Sequence, residues 1–393
     1  MSKHTHPLKA RKHANPADGP ACPHRPPCPG CPRFGEPGIA PVARDALDEL
    51  AQAHGISKPT TVSGSTTGFR LRARLAIRGR SNSPKIGLFE ADSHRVVHIP
   101  NCSVQHPLIN RVASTVRRAL VDTGVTCYSD GVHLGIARYL QVVVERSSQT
   151  AQVVLVANST SSEPLAACLD LIRERLGSEL HSLWFNANCD QGNTILGPHF
   201  HRWCGPESVV EHFGGATIHY PPGAFGQNNL DIAQRIIERI RDDIPASAVV
   251  AEFYAGVGAI GLSIVDRIAE LRMNEVGAAS LHGLELGLAQ LDAEHRAKVS
   301  VTPGIAGSAI DMAAGARVII ADPPRKGLDP ELRDHFSEHP PERFIYVSCG
   351  LESLLKDCAQ LTSRAKLRLA ELTAFNLMPF TEHVETVARF ERV

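Results

Sequence analysis

The chain is poor in aromatic residues and carries no net charge. Only 5% of its 393 residues are Phe, Trp or Tyr, and 41 Lys and Arg side chains are balanced by 41 Asp and Glu. This balance removes the overall positive field that is typical of nucleic-acid binding proteins, so any such partner must be argued from local patches. No apolar run reaches the roughly 20 residues of a membrane span. Residues 1–20 also lack the apolar stretch of a secretory signal, so the sequence predicts a cytoplasmic protein without a membrane partner.

The length of the chain predicts more than one hydrophobic core. Pattern and composition divide it into a flexible basic arm (1–20), a cysteine-rich segment (21–59), a central α+β domain (60–215) and a C-terminal α/β domain (216–393). The arm carries basic residues that suit a solvated tail or an RNA contact, namely Lys3, Lys9, Arg11 and Lys12. Ten cysteines in a chain without a secretory signal are more typical of ligands, catalysts or core residues than of disulfides.

Three cysteines near the N-terminus have the spacing of a metal-binding motif. Cys22, Cys28 and Cys31 follow the pattern C-x5-C-x2-C in a proline-rich stretch that can form neither helix nor strand. A bound metal would supply the reason for such a stretch to be ordered. Cys102 is the best candidate for a fourth ligand, and His24 offers a zinc-binding alternative. The spacing alone does not choose between iron and zinc.

Residues 68–77 alternate between apolar and basic side chains. This pattern predicts a half-buried strand whose outer face carries Arg70, Arg72 and Arg74. Such a face suits phosphate binding and a solvated surface equally well.

The C-terminal half begins with a strand and a glycine-rich turn. Residues 249–255 are followed by Gly256-x-Gly258-x-x-Gly261, which lets the backbone approach a ligand at a helix N-terminus. We expect the next strand to end at Glu285, where a carboxylate would bind ribose hydroxyls. NAD and S-adenosylmethionine share this requirement. A later strand runs into Asp322-Pro323-Pro324, a rigid loop that suits a planar base better than a nicotinamide.

A buried strand over residues 343–348 ends at Cys349. Ligands of open parallel sheets bind at the carboxyl ends of the strands, so this thiol is predicted to face the substrate crevice. An inert buried cysteine is the alternative. Glu385 lies near the start of the last predicted strand, where a simple exposed carboxylate is the alternative to a catalytic one.

Taken in order, these motifs resemble those of the S-adenosylmethionine-dependent RNA uracil-C5 methyltransferases. The set comprises Phe225-x-Gln227-x-Asn229, Gly256/Gly258, Asp322-Pro-Pro-Arg325, Ser348-Cys349 and His383-x-Glu385. The N-terminal cysteines resemble the branch of the family that carries a [4Fe-4S] cluster and acts on 23S rRNA. The chain departs from the family pattern at Gly350, Phe380 and Ser308, where an Asn, a His and an acidic or amide residue are usual.

The resemblance implies a role for each motif. The C-terminal domain would be a Rossmann-like class I methyltransferase domain, and residues 21–59 an iron–sulfur segment whose fourth ligand comes from the RNA-contacting central domain. Cys349 would be the nucleophile and Glu385 the general base. The cofactor or the base would contact Gln227, Tyr254, Glu285 and Asp322, and the cluster would be held by Cys22, Cys28, Cys31 and Cys102. The product would be 5-methyluridine from a flipped-out uridine in rRNA, or alternatively tRNA, and the enzyme would be a monomer.

The residue types suit this chemistry. Thiolate attack on C6 of uracil makes C5 nucleophilic, and a carboxylate can later remove the C5 proton. Two other classes of protein fit part of the sequence. One is an amino-methyltransferase that uses Asp322-Pro-Pro without a nucleophilic cysteine, and the other is a non-catalytic RNA-binding protein with a structural metal.

Overall fold

The computed structural model describes residues 22–364 and 366–393. The predicted basic arm lies outside these residues. The described residues form eight α-helices: α1 Pro41–Ala53, α2 Pro107–Asp122, α3 Ala166–Leu176, α4 Leu230–Asp243, α5 Ala278–Leu288, α6 Ala293–Ala297, α7 Pro330–Glu338 and α8 Leu351–Arg364. Among them, no helix combines the length and the apolar character that crossing a membrane requires.

Seventeen strands accompany these helices in the part of the chain that is described. Ten precede the C-terminal domain or lie at its border: β1 Thr60–Val62, β2 Arg72–Arg80, β3 Ser83–Phe89, β4 Val96–His98, β5 Ala137–Glu145, β6 Thr150–Ala157, β7 Leu180–Ala187, β8 His199–Cys204, β9 Val209–Phe213 and β10 Ala216–Tyr220. Seven follow: β11 Val249–Phe253, β12 Glu270–Glu275, β13 Val299–Pro303, β14 Val318–Ala321, β15 Arg343–Ser348, β16 Leu367–Phe375 and β17 Glu385–Arg392.

An eight-stranded sheet forms the C-terminal domain in the order β1-β16-β17-β15-β14-β11-β12-β13. Strands β11 to β15 pair in parallel, whereas β17 is antiparallel to both of its neighbours. The central strands β14 and β15 are almost wholly buried, because helices cover both faces of the sheet. The side chains of these two strands are accordingly apolar on both faces. The predicted Rossmann-like fold is confirmed.

The N-terminal segment contributes to this same sheet. Helix α1 buries Ala43, Leu47 and Ala51 in the hydrophobic core that also contains Phe344 and Phe390. Strand β1 pairs in parallel with β16 at the edge of the sheet. Residues from α1 to β1 therefore pack with the C-terminal domain, and the boundary predicted between residues 59 and 60 does not separate two folded units.

A seven-stranded sheet in the order β4-β3-β2-β5-β6-β7-β8 forms the central domain. Helices α2 and α3 cover one face of it, with buried apolar residues such as Val112, Val116 and Leu169. The hairpin of β9 and β10 follows, so the boundary predicted at residue 215 falls inside a hairpin. Helix α5 packs against β10 of this hairpin, and the hairpin thus connects the central sheet to the C-terminal domain.

The strand predicted to end at Glu285 is a helix. Residues 281–285 belong to α5, and the side chain of Glu285 is exposed. The second strand of the domain lies earlier and ends at Glu275. Gly283 is needed in α5 because a Cβ atom there would lie 2.5 Å from the carbonyl oxygen of His219 in β10. No local sequence pattern predicts this close packing of α5 against β10.

The predicted basic face of β2 is mostly covered. Arg72 packs its guanidinium 4.1 Å from the ring centre of Tyr220. Arg70 lines a cavity that also contains cysteine side chains. Only Arg74 is exposed, and its Nε donates to Gln141 at 2.8 Å. A continuous phosphate-binding stripe on these three residues is therefore not present, because the hairpin and the cysteine segment pack against them.

Candidate active site

A cavity of about 580 Å³ lies at the carboxyl ends of β11, β14 and β15. Its volume is within the range of small-molecule binding sites, and this end of a parallel sheet is where such ligands bind. The lining includes three of the predicted cofactor or base contacts and both predicted catalytic residues: Gln227, Tyr254, Asp322, Cys349 and Glu385. Glu285 is not part of the lining, whereas Glu275 is.

The turn after β11 has the backbone shape that the glycine pattern predicts. Gly256 and Gly258 have φ angles of +60° and +83°, which glycine adopts without strain. Tyr254 also has a positive φ of +60°, unusual for a residue with a side chain. Glu275 fixes this turn, because its Oε2 accepts the Gly256 N–H at 2.8 Å. Its Oε1 accepts the Gly277 N–H at 2.6 Å, so the carboxylate is held at the edge of the cavity.

Two buried carboxyl groups, Glu252 and Glu385, and the partly exposed Asp322 face this cavity. Burial raises the pKa of Asp322 to about 7. Burial and the charge of Asp322 raise the pKa of Glu385 well above its ordinary value, and Oε1 of Glu385 has no hydrogen-bond partner among the described residues. Burial and Asp322 likewise raise the pKa of Glu252 to about 8. Glu252 was not predicted as a site residue, because its position lies within β11 and not after the end of the strand.

Cys349 is half-buried beside these carboxyl groups. Burial and the charges of Glu385 and Asp322 raise the pKa of its thiol to about 11, and Arg325 acts in the opposite direction. Arg325 is exposed at the cavity rim, where its Nη2 lies 3.2 Å from Nε2 of His383. The predicted nucleophile, the predicted base and a cation thus line the same cavity, close enough for both charges to act on the thiol.

The mouth of the cavity carries an aromatic ring that the sequence analysis did not single out as a contact. Phe225 is 65% exposed although it lines the cavity. Ile305 is 59% exposed and lines it from the loop after β13. Ser308 is exposed and does not line the cavity, whereas Ile305 and Ala306 do.

A second cavity, of about 230 Å³, is lined by all four predicted metal ligands: Cys22, Cys28, Cys31 and Cys102. Burial, and after it the neighbouring thiol of Cys102, raises the pKa of Cys31 to about 11. Burial also raises the pKa of Cys28, with Cys102 and Cys22 adding to the effect. Among the described residues, no three Cys, His, Asp or Glu side chains converge closely enough to bind a single metal ion.

The cysteine segment packs against the loop that precedes β17. The backbone N–H of Arg33 donates to the carbonyl of Phe380 at 3.0 Å, and the rings of Phe34 and Phe380 are 4.8 Å apart. Phe380 is buried and has a φ of +68°. At this departure from the usual histidine, an apolar ring therefore packs against the cysteine segment.

Comparison with known proteins assigns the chain to a family. The sequence model of the tRNA (Uracil-5-)-methyltransferase family matches residues 308–393. An uncharacterized RNA methyltransferase of Protochlamydia amoebophila is 33% identical over 380 residues, which cover 95% of this chain and 97% of that protein. The chain belongs to the S-adenosylmethionine-dependent RNA uracil-C5 methyltransferase family.

A further relative and a solved structure are also similar to this chain. An uncharacterized RNA methyltransferase of Enterococcus faecalis is 29% identical, with 88% of this chain and 74% of that protein covered. The crystal structure of Pyrococcus abyssi tRNA (uracil-54, C5)-methyltransferase in complex with S-adenosyl-L-homocysteine shares the fold, with a TM-score of 0.73 at 19% identity. The match covers 89% of this chain and 83% of the Pyrococcus abyssi chain. The protein is an S-adenosylmethionine-dependent RNA methyltransferase, and RNA is its class of substrate.

Proposed function

We propose that this enzyme forms 5-methyluridine through a covalent bond between Cys349 and C6 of the target uracil. The observation that carries the proposal is the position of Cys349, Glu385 and Asp322 in the lining of the large cavity. A base-amine methyltransferase needs no thiol at this place. The proximity of thiol and carboxylate therefore favours C5 methylation over amine methylation.

The steps can be assigned to atoms. The Cys349 thiolate, its proton released to solvent, would bond to C6, and the C5–C6 double-bond electrons would move onto O4 as an enolate. They would then return through C5 to form its bond to the methyl group, while the bond from that methyl group to the sulfonium sulfur breaks and leaves its electrons on that sulfur. Glu385 takes the proton from C5, and the electrons of that C–H bond re-form the C5–C6 double bond while the C6–S bond breaks with its electrons on the Cys349 sulfur. Burial and the charge of Asp322 raise the pKa of Glu385, so a bound ligand that compensates the carboxylate charge would extend its action as a base to lower pH.

Residues at the ends of β11 and β12 would hold S-adenosylmethionine, which supplies a methyl group on a positively charged sulfur. The two glycines of the turn leave room for the backbone to approach a ligand, and Glu275 presents carboxylate oxygens at the end of β12. We assign to Glu275 the ribose contact that was predicted for Glu285. Gln227, Tyr254 and Asp322 remain proposed contacts to the cofactor or the base. The buried carboxyl groups suit a cationic ligand, because it would offset the cost of ionising them.

The target uridine would leave its stack to reach Cys349. RNA-binding proteins commonly receive an unstacked base on an aromatic ring. Phe225, exposed at the mouth of the cavity, offers such a ring.

We further propose that Cys22, Cys28, Cys31 and Cys102 hold a [4Fe-4S] cluster rather than zinc. Four thiolates on one zinc ion, each about 2.3 Å from the metal, lie within about 4 Å of one another. The four thiols of this chain instead surround an open cavity, and their arrangement does not fit a single ion. In a cluster each thiolate binds a different iron atom, which places the sulfurs farther apart. Buried thiols also need a nearby positive centre to ionise, and the irons would supply it.

Metal analysis tests this part of the proposal. Protein purified without oxygen should be brown and contain about four irons per chain. Stoichiometric zinc in colourless protein would contradict the cluster. Cys28→Ser should lose iron and soluble yield together, because metal capture and folding of the segment are coupled.

We propose 23S rRNA as the substrate, since the four-cysteine arrangement resembles that of the rRNA-modifying branch. Nucleoside mass spectrometry of a deletion strain should show loss of 5-methyluridine from 23S rRNA. Loss from bulk tRNA with unchanged rRNA would instead make tRNA the substrate, as the description of the matching family and the name of the Pyrococcus abyssi protein suggest.

A denaturing gel with natural RNA tests the covalent mechanism. Glu385→Gln should accumulate a protein–RNA adduct, because the methylated intermediate keeps its C5 proton and the sulfur cannot leave. Loss of a general base typically costs about 10²–10⁴-fold, so the adduct should persist long enough to be seen. Cys349→Ala and the double variant should form no adduct. Normal product formation without an adduct in Glu385→Gln would remove Glu385 from the mechanism.

A further inference from the structure

One buried carboxylate, outside both cavities, connects the two elements that must meet during the reaction. Asp357 lies on α8 with a relative exposure of 1%. Its Oδ2 accepts the hydroxyl of Tyr346 at 2.9 Å and the backbone N–H of Leu328 at 2.9 Å. Its Oδ1 accepts Nη1 of Arg333 at 2.9 Å. Each of these partners lies on a different element.

Tyr346 connects the carboxylate to the strand of the nucleophile. It lies in β15, three residues before Cys349, and is fully buried. Burial and the charge of Asp357 raise the pKa of its phenol far above the ordinary value, so the hydroxyl is a permanent donor. The bond therefore fixes the end of β15 relative to α8.

Leu328 connects the same oxygen to the loop that begins at Asp322. This loop turns at Gly327, whose φ is +86° and whose Cβ, if present, would lie 2.5 Å from Oδ2 of Asp357. Only glycine permits this approach. The loop is also held from its other side, because the hydroxyl of Tyr254 accepts the N–H of Asp329 at 3.0 Å.

The two elements held in this way touch directly beside the nucleophile. A Cβ atom on Gly350 would lie 3.0 Å from the backbone oxygen of Arg325, so the turn after Cys349 is packed against the loop. The loop carries Asp322 and Arg325, the two groups outside β17 whose charges act on the Cys349 thiol. Their distance from the sulfur depends on how loop and strand are joined.

We propose that Asp357 is a positioning residue for methylation, which joins the nucleophile strand to the Asp322–Asp329 loop and so sets the geometry of Cys349 relative to Asp322 and Arg325. This inference rests on the proposed covalent function. Asp357 does not line the cavity and touches no ligand in this scheme. Its effect is expected on the rate of the chemical step rather than on RNA affinity.

Covalent trapping on 5-fluorouracil RNA tests this proposal at saturating and at limiting RNA. Tyr346→Phe removes only the strand bond, and Asp357→Ala removes all three. Arg333→Met removes only the bond to α7 and serves as the control for lost stability, because it leaves a buried carboxylate without its cation. Thermal unfolding of each full-length variant is measured alongside.

We expect Tyr346→Phe to slow trapping at saturating RNA about tenfold and Asp357→Ala about 100-fold, with half-saturating RNA concentrations within threefold of wild type. Arg333→Met should trap within threefold of wild type despite a fall in melting temperature at least as large as that of Tyr346→Phe. If Asp357→Ala does not fold, Tyr346→Phe decides. Wild-type trapping rates in Tyr346→Phe, or slowing in Arg333→Met that follows its stability loss, would overturn the positioning role. No adduct with the wild-type enzyme would refute the covalent function and this inference with it.

Discussion

The reactivity of Cys349 should respond in opposite directions to two neutralising substitutions. A carboxylate beside a thiol raises the pKa of the thiol because two negative charges repel each other, and a cation lowers it. Glu385 and Asp322 act in the first way on Cys349 and Arg325 in the second. Glu385→Gln should therefore lower the pKa of Cys349, whereas Arg325→Met should raise it.

The size of the effect follows from the pKa. A thiol with a pKa of about 11, instead of 9.0, is ionised at pH 8 in about one molecule in a thousand rather than about one in ten. Burial is the largest cause of this difference, and it remains in both variants. Glu385→Gln should thus recover only part of the factor of about 100, and we expect alkylation at pH 8 to be about three- to tenfold faster. In Arg325→Met, alkylation of Cys349 at pH 8 should be slower than in the wild type.

The assay is alkylation by iodoacetamide between pH 7 and 10.5, followed at the Cys349 peptide by mass spectrometry without oxygen. The exposed Cys189 in the same chain provides the internal rate standard. Its profile should be the same in all variants. Identical Cys349 profiles in wild type and Glu385→Gln, or shifts of the same sign in both variants, would refute the electrostatic description of the site.

Three further outcomes are expected. Glu275→Gln should weaken binding of S-adenosylhomocysteine about 10- to 100-fold in calorimetry, since a hydrogen bond to a charged group is lost, whereas Glu285→Gln should bind within twofold of wild type; the reverse order would assign the ribose contact to Glu285. Gly350→Ala should slow adduct formation about tenfold with unchanged cofactor binding, because the new Cβ would lie 2.6 Å from Oγ of Ser353 and 3.0 Å from the backbone oxygen of Arg325; an unchanged rate would show that these neighbours shift without moving Cys349. Phe34→Ala should lower the free energy of unfolding by about 1–3 kcal/mol and speed hydrogen exchange in residues 376–384, because the ring contact with Phe380 is lost; exchange confined to the cysteine segment would contradict that coupling.

The sequence by itself determined those parts of the site that lie at strand ends. A buried apolar strand followed by Cys349, a strand followed by Asp322-Pro-Pro and a strand followed by Gly256 each give a local signal. Parallel strands then place their carboxyl ends together, so proximity follows from topology without further information. That Cys102 lines the same cavity as the N-terminal cysteines was predictable in the same sense, from chemistry that requires a fourth ligand.

Tertiary structure alone decided the contacts between segments far apart in the chain. Glu275 was missed because β12 alternates polar and apolar residues with an arginine and an asparagine among them, whereas Leu281–Glu285 is apolar enough to imitate a strand. The role of Gly283 depends on a carbonyl oxygen in β10, which no local pattern contains. The burial of Arg72 under Tyr220 and the three bonds of Asp357 likewise join residues separated by many positions. Periodicity reports which side chains an element buries, but the partner that covers them is set only when the two sheets and the cysteine segment pack together.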